Sequence, residues 1–556
     1  MSGKADLIVE NASILTMDAD APRADAIAIS RGEIVAVGSR AEILEWKGPE
    51  TRVLDAGGGS VVPGFIESHM HLFPGGAELD HLQLGGVKGF DALRSAVREY
   101  ADKRPHAAFL QAQGADYAVL SADDRITRHH LDQILPDRPF IMAAADHHTM
   151  WANTKALEMG GLLRGKTLGP GNEIVMGEDG LANGELRENE AFGPLIQLSG
   201  EGRVHLGIST GGEPGTKPSS TELAADCEIM KRGLDWCARH GITSIQNMDG
   251  NLYQLELLSL IEAEGGLLCR TQIPFHFKNF MAVDALEKAS VMAERYKSEW
   301  LSSGMVKVFM DGVMDSWTAV MVEPYADRAD WTGEPLFSQQ QFDAVAVEAD
   351  RRGLQIAVHA IGDGAVRSVL DGYQAARTAN GARDSRHRVE HVEVITADDI
   401  PRFAALGVIA SMQPPHPPGT MGFPLEPTVS RIGKDRWPLS YAWRTMKSTG
   451  AHVVFASDWP VSPIDPILGI QAAVLRKPWA AGNPEQSFSL MEALAAYTVE
   501  GAYAEFTEHR KGKLKPGYMA DLVVLSTDIE ATAPEALHKV RPVTTICGGK
   551  ITYQVH

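Results

Sequence analysis

Hydrophobic and polar positions change rhythm along this chain. Over the first 55 residues they alternate, in "ADLIVENASILTMD" and "DAIAISRGEIVAVGS", with a turn at Arg31-Gly32. A period of two is the signature of half-buried strands. The same texture returns near the other end, in "KGKLKPGYMADLVVLSTD" and "VTTICGGKITYQV". Short strands at both ends around a middle of another type predict a small β-sandwich built from residues 1–58 and 506–556.

Between residues 59 and 505 continuous apolar runs replace the alternation. They are "VVPGFIESHMH", "GITSIQNMD", "LLCRTQIPFHF", "GMVKVFMDG", "GLQIAVHAIGD", "RHRVEHVEVI", "GVIASMQPPH" and "HVVFASDWPV". Each ends in polar residues and is followed by a helical stretch. Such runs predict a parallel sheet covered on both faces, and eight of them an α/β fold of the closed (β/α)8 TIM-barrel type. About 170 residues separate the first two runs, far more than one crossover helix needs. This stretch has strand-like pieces of its own, "AFLQAQGAD" and "RPFIMAAAD", and a polar segment, "LSGEGRVHLGISTGGEPGTKPSS". It reads as an insertion over about residues 80–225, lying over the barrel mouth.

Composition narrows the partners. Apolar residues make up 44% and charged residues 22%, ordinary for a globular protein. Lysine and arginine number 52 against 72 aspartates and glutamates, a net charge of −20. Such a surface repels phosphate backbones and anionic lipid heads, which points away from nucleic acid and membranes and is compatible with a small-molecule substrate. The cysteines, Cys227, Cys237, Cys269 and Cys547, show neither CxxC spacing nor a disulfide framework. They read as buried free thiols in a reducing compartment. The first residues carry charges where a signal peptide has its apolar core, and no apolar run reaches the ~18 residues of a membrane span. A cytoplasmic protein is expected.

Candidate chemistry sits at the ends of the runs, where barrel enzymes place their reactive groups. In "FIESHMHL", His69 and His71 point to one face of a strand and can share a metal ion. With 19 histidines in 556 residues, chance gives about 0.6 such pairs, so the motif needs support. Lys307, His359, His391 and Asp458 end later runs. Each has a plain alternative: Lys307 in an ion pair with Asp311 or Asp315, the histidines as hydrogen-bonded core residues, Asp458 as a helix cap. Together, at strand ends and in this order, they point to a metal site.

The motifs "PGFIESHMH", "GITSIQNMD", "VKVFMDG", "VHAIGDGAV", "RHRVEHVEVI", "FASDWPV" and "GKLKPGYMADLVVL" resemble those of the amidohydrolase superfamily. "PDRPFIMAAADHHTMWANTKAL", "ASMQPPH" and "SDWPVSPIDPILGI" resemble, within it, the branch that contains N-substituted formamide deformylases and many uncharacterised metal-dependent hydrolases. The resemblance spans nearly the whole chain. It implies a divalent metal site, two Zn²⁺ foremost. His69 and His71 would hold the more buried ion, and a carboxylated Lys307 would bridge to a second ion held by His359 and His391. Asp458 would touch the buried ion and move protons. The implied reaction is cleavage of a C–N bond in an N-acyl or N-formyl amide, or a related carbonyl–nitrogen substrate, by a metal-activated hydroxide with Asp458 as the proton shuttle. Relatives are often homodimers.

Two departures keep a relative's substrate from being transferred. The segment after the fourth run is "DGVMDSWTA", with Met314, Asp315 and Trp317 where the branch has small residues and arginine. The insertion has "DHH", with His147 in place of glycine. Trp151, Trp317 and Trp459 lie on segments near the expected pocket and suggest an apolar or aromatic substrate, or else plain packing. Asp146, His148, Asn153, Gln413 and His416 are candidates for orienting it. Two rivals remain open: a single-metal deaminase or esterase on the same fold, and a catalytically silent metal-binding regulatory protein. No reactive-looking cysteine points to other chemistry.

Overall fold

The computed structural model describes residues 3–121, 124–144, 149–169, 172–421 and 423–555. The chain divides into two compact units, one of residues 1–72, 210–213 and 234–556, the other of residues 73–209 and 214–233.

In the first unit the alternating ends form two sheets. One is built from Leu7–Glu10, Ala26–Ser30, Glu33–Gly38 and Arg52–Asp55. The other joins Ser13–Leu15, Arg23–Ala24 and Ser60–Pro63 to Leu522–Leu525, Pro542–Cys547 and Lys550–Gln554. The two ends of the chain meet where Ser60–Pro63 runs antiparallel to Leu522–Leu525, with Val62 opposite Val523. Leu7, Val9, Ile27 and Ile29 of one sheet and Val61, Leu522, Val524 and Ile546 of the other share a single apolar layer, as the period of two requires.

The continuous runs form eight strand positions in parallel, numbered β1 to β8. They are β1 (Phe65–Met70), β2 (Ile242–Asn247), β3 (Arg270–Gln272 and Phe275–His276), β4 (Leu301–Ser302 and Met305–Phe309), β5 (Gln355–Ala360), β6 (Arg388–His391), β7 (Ile409–Met412) and β8 (His452–Phe455). Each pairs in parallel with the next, for example Ser244 with Arg270, Lys307 with Ala357 and His359 with Glu390. Between β8 and β1 the described residues show one parallel bridge, Met70 to Trp459. There the His71 N–H donates to Trp459 O at 2.8 Å and the Asp458 N–H to His69 O at 2.9 Å. Helices follow the strands, including Leu252–Ala263 after β2, Gln339–Arg351 after β4 and Asp363–Asn380 after β5.

One sequence expectation is corrected here. "VVPGFIESHMH" is not one strand: Ser60–Pro63 belongs to the terminal sheet and β1 begins at Phe65. The break falls at Gly64, where a Cβ would lie 2.2 Å from Thr243 Oγ1. Only glycine lets the chain pass β2 this closely.

The second unit has a six-stranded mixed sheet in the order Glu173–Met176, Ala182–Arg187, Thr149–Ala152, Phe140–Ala144, Leu110–Ala115, Leu82–Gln83. Along Phe140–Ala144 the residues alternate between two apolar clusters. Phe140, Met142 and Ala144 face one, and Ile141 and Ala143 the other. This sheet is covered on both faces. Among the described residues no helix is long and apolar enough to cross a membrane.

A buried ion pair ties β3 to the C-terminal segment. Arg270 donates from Nε and Nη2 to Asp521 at 2.8 and 3.1 Å, and the Gly548 N–H donates to the same carboxylate at 2.7 Å. Burial would raise the Asp521 pKa, but Arg270 outweighs it and holds the carboxyl below its ordinary range. A carboxyl so depressed stabilises the fold above its ordinary pKa and loses that contribution as pH falls through the folded-state value. Asp521→Asn is therefore expected to cost about 3–5 kcal/mol near pH 7. In urea unfolding the gap between wild type and variant should be full at neutral pH and shrink below about pH 4.

Candidate metal centre

Strand ends bring the ionisable groups together at one end of the parallel strands. His69 and His71 leave β1 on the same side, as period two dictates. Each imidazole is held from behind by a carboxylate. His69 Nδ1 lies 2.7 Å from Glu390 Oε2, and His71 Nδ1 lies 2.9 Å from Asp249 Oδ1. A carboxylate fixes a proton on the Nδ1 facing it, so the hydrogen-bond network assigns the lone pair to Nε2. Both Nε2 atoms point to one place: each is 3.3 Å from Asp458 Oδ1. That oxygen is buried and has no hydrogen-bond partner.

Three lone pairs therefore meet with no hydrogen between them. A cation satisfies such a point, and carboxylate-backed imidazoles with an added carboxylate are a donor set for a divalent ion. Without one, a proton is drawn in. Burial opposes a charged His71, yet Asp249 and Asp458 raise its pKa to about 9. Burial likewise opposes a charged Asp458, and the neighbouring imidazoles nevertheless hold its carboxyl well below the ordinary range.

The other two histidines are neutral and adjoin this point. His391 directs Nδ1 to Gln413 Oε1 at 2.9 Å, and the same nitrogen is 4.0 Å from Asp458 Oδ2. Burial and the nearby His359 and His69 keep its pKa well below normal. His359 directs Nε2 to Gly312 O at 3.0 Å, and burial with the Lys307 charge pushes its pKa down to about 3. The His359 and His391 rings are 4.4 Å apart, and the His69 and His391 rings 4.8 Å.

Lys307 departs from its plain alternative. Asp311 accepts the N–H groups of Val320, Ile361 and Gly362 at 2.9–3.0 Å, and Asp315 accepts the Thr428 hydroxyl. Neither carboxylate pairs with Lys307. Its Nζ is fully buried without a hydrogen-bond partner and lies 4.9 Å from the centre of the Phe309 ring. Burial lowers its pKa to about 8, against the pull of Glu390 and Asp458. A neutral amine is thus within reach near physiological pH.

The substrate candidates divide. Gln413 gives Oε1 to His391 and keeps a buried Nε2 without partner. His416 stacks parallel to His391 at 6.1 Å, with Nδ1 3.5 Å from Glu393 Oε1. Ligand atoms of His391, His416 and Asp458 lie within 4.8 Å of one another, which puts His416 closer to the ligand set than its sequence role suggested. Trp317 lies on the loop after β4, and Trp459 is buried beside Asp458. Trp151 packs in an apolar cluster of the second unit. Asn153 caps helix Thr154–Met159 and accepts from Phe140 N–H, while its Nδ2 donates to Leu135 O and Arg138 O. That leaves Asn153 no hydrogen-bonding capacity for a substrate. Asp146 and His148, like His147, lie outside the described residues.

The residues behind the imidazoles were not singled out from the sequence. Glu390 also takes two bonds from Arg388, itself fully buried and bonded to Ser68 O and Ser411. Asp249 closes the β2 run as Asp458 closes β8, a signal that could have found it. Glu67 precedes His69 by two residues on the strand; burial raises its pKa to about 8, against N–H donation from Ser457 and His69.

The Amidohydrolase family profile matches residues 52–553. The chain belongs to the amidohydrolase family. It is 30% identical to LONG AFTER FAR-RED 3 of Arabidopsis thaliana over 542 residues, 94% of this chain and 88% of that protein. Identity with the N-substituted formamide deformylase of Arthrobacter pascens is 24% over 560 residues, 100% of this chain and 99% of that one. The crystal structure of an uncharacterized metal-dependent hydrolase from Pyrococcus horikoshii OT3 superposes with a TM-score of 0.73 at 24% identity, covering 95% and 99% of the two chains. That likeness establishes the fold. The resemblance expected from the motifs is borne out.

If the Lys307 amine has no structural partner, removing it should relieve a burial cost. In metal-free protein Lys307→Met is expected to raise stability by about 1–4 kcal/mol, read as a higher melting temperature in chelator. A lower one would mean that an ion pair holds the ammonium.

Proposed function

We propose that this amidohydrolase-family protein is a metal-dependent hydrolase of a C–N bond in an amide, formamide or related carbonyl–nitrogen substrate. The observation that carries the reading is the meeting of His69 Nε2, His71 Nε2 and the unpartnered Asp458 Oδ1. Family membership and the likeness to a formamide deformylase support the reaction class. The eight parallel strands, with their Met70–Trp459 bridge, are read as a closed barrel whose mouth holds the site.

His69, His71 and Asp458 would hold one divalent ion, with zinc the first choice for this donor set. His359, His391 and Lys307 would serve a second. For that role the neutral Lys307 amine takes up carbon dioxide, loses a proton and becomes a carbamate. Divalent ions so held would acidify a water and polarise the scissile carbonyl. Asp458 Oδ2, on the side of His391, would receive the proton released as water attacks. It would then deliver that proton to the leaving nitrogen, since amines leave poorly unless protonated. Glu390, Asp249 and Gln413 keep the imidazoles in the tautomers this requires.

Elemental analysis of protein prepared with zinc and bicarbonate tests the centre. About two ions per chain are expected in wild type and one or none in Lys307→Met; one in both would leave Lys307 outside the centre and favour single-metal chemistry. Asp249→Asn is expected to weaken zinc retention against a competing chelator by about 10–100-fold. On an N-formyl amide that the wild type cleaves, Asp458→Asn should lower kcat by about 10²–10⁴-fold. Undiminished turnover would remove Asp458 from the reaction.

A further inference from the structure

β7 ends in a tight turn that brings two polar side chains to the centre. The His416 N–H donates to Gln413 O at 3.1 Å and closes the turn over Pro414 and Pro415. Two prolines in succession fix φ and stiffen it. Gln413 stands against the centre: its Oε1 is 2.9 Å from His391 Nδ1, and that nitrogen is 4.0 Å from Asp458 Oδ2. His416 stands there too. Its ring is parallel to His391, 6.1 Å away, and one of its nitrogens lies within 4.8 Å of ligand atoms of His391 and Asp458.

Each side chain uses one polar atom and keeps another. Gln413 spends Oε1 on His391, and its Nε2 is buried and donates to no acceptor among the described residues. His416 turns Nδ1 to Glu393 Oε1 at 3.5 Å and leaves Nε2 buried in the same condition. The Tyr441 hydroxyl donates to Glu393 at 2.8 Å and holds that carboxylate in place. Burial opposes a charged His416, yet Glu393 and Asp458 raise its pKa, which favours a hydrogen on both ring nitrogens. Buried donors without acceptors are rare and costly. Two of them on one rigid turn, beside the group that handles the proton, are what stabilises charge developing on an oxygen. The spacing suits it: two hydrogen bonds end to end span about 5.6 Å, so an atom between groups 4.8 Å apart reaches both.

We infer that Gln413 Nε2 and His416 Nε2 form an oxyanion site, donating to the oxygen of the scissile carbonyl as water adds to its carbon. The π pair of the carbonyl moves onto that oxygen while the new C–O bond forms. It returns when the C–N bond breaks, and neither donor gives up its proton. Gln413 and His416 are thereby catalytic residues. The role rests on the hydrolase proposal for the reaction, but holding an oxyanion requires no turnover.

Calorimetric titration of protein prepared with zinc and bicarbonate tests it, with benzylphosphonate as a tetrahedral oxyanion. Phenylmethanethiol, which reaches a metal through sulfur and offers no oxygen, is the control. His416→Phe keeps an aromatic ring and removes the donor. It should weaken benzylphosphonate about 10–100-fold, the range for a hydrogen bond to a charged group, and leave zinc content and thiol affinity at wild-type values. Gln413→Glu, which keeps the acceptor for His391, should weaken the phosphonate at least as much. Loss of zinc from His416→Phe would make His416 a ligand, and unchanged phosphonate affinity in either variant would make that residue packing. Each overturns the inference, as does a wild type that binds no phosphonate. Should His416→Phe fail to fold, Glu393→Gln decides. Removal of a negative charge by itself tightens an anion, yet without the carboxylate Nε2 loses its hydrogen. The phosphonate should therefore bind severalfold more weakly, and equal or tighter binding overturns the inference. Zinc content of the same preparations reads the hydrolase proposal separately. Two ions with equal phosphonate affinity in wild type and variants sink only the oxyanion site, and His416-dependent affinity without zinc sinks only the hydrolase.

Discussion

The structure turns on one unfavourable meeting of like atoms. His69 Nε2, His71 Nε2 and Asp458 Oδ1 present lone pairs to one another at 3.3 Å inside a buried site. Carboxylates behind the rings, Glu390 and Asp249, prevent the imidazoles from turning the other nitrogen inward. A proton on His71, whose pKa the two neighbouring carboxylates raise to about 9, relieves this point, and a cation that takes the proton's place relieves it as well.

Holding it costs backbone strain as well as desolvation. His391, Val392 and Asp458 all have positive φ, at 79°, 47° and 60°. Side chains with a Cβ avoid this region at about 1–3 kcal/mol each, and a β-branched valine avoids it most. These three residues lie at the ends of β6 and β8, where the chain turns beside His391 and Asp458. Rigid parallel strands beneath, with Arg388 bonded to Glu390, Ser68 and Ser411 across β6, β1 and β7, absorb the cost.

A second layer of the same logic reaches the outer loops. Gly312 and Gln413 restrain His359 and His391 from the loops after β4 and β7, and those loops carry Trp317 and Arg431. Residues that fix the tautomers and the Trp317–Arg431 stack thus sit on the same two segments. A change in one loop would be felt at both.

Periodicity alone determined the two kinds of sheet, because a strand exposed on one face must alternate and one buried on both need not. It located the strand ends as well, and with them His69, His71, Lys307, His359, His391 and Asp458. It did not reveal the break at Gly64, since "VVPGFI" is apolar on both sides of the glycine and only the approach of Thr243 forces the change of sheet. Nor did it separate Asn153, a helix cap, from a substrate contact, because both uses favour the same side chain. Asp249, Glu390 and Arg431 escaped for a different reason. Each acts on a partner more than 100 residues away, as His71–Asp249 and His69–Glu390 do across 178 and 321 positions. Local pattern decides which face a side chain takes; only the tertiary structure decides which charge waits on that face.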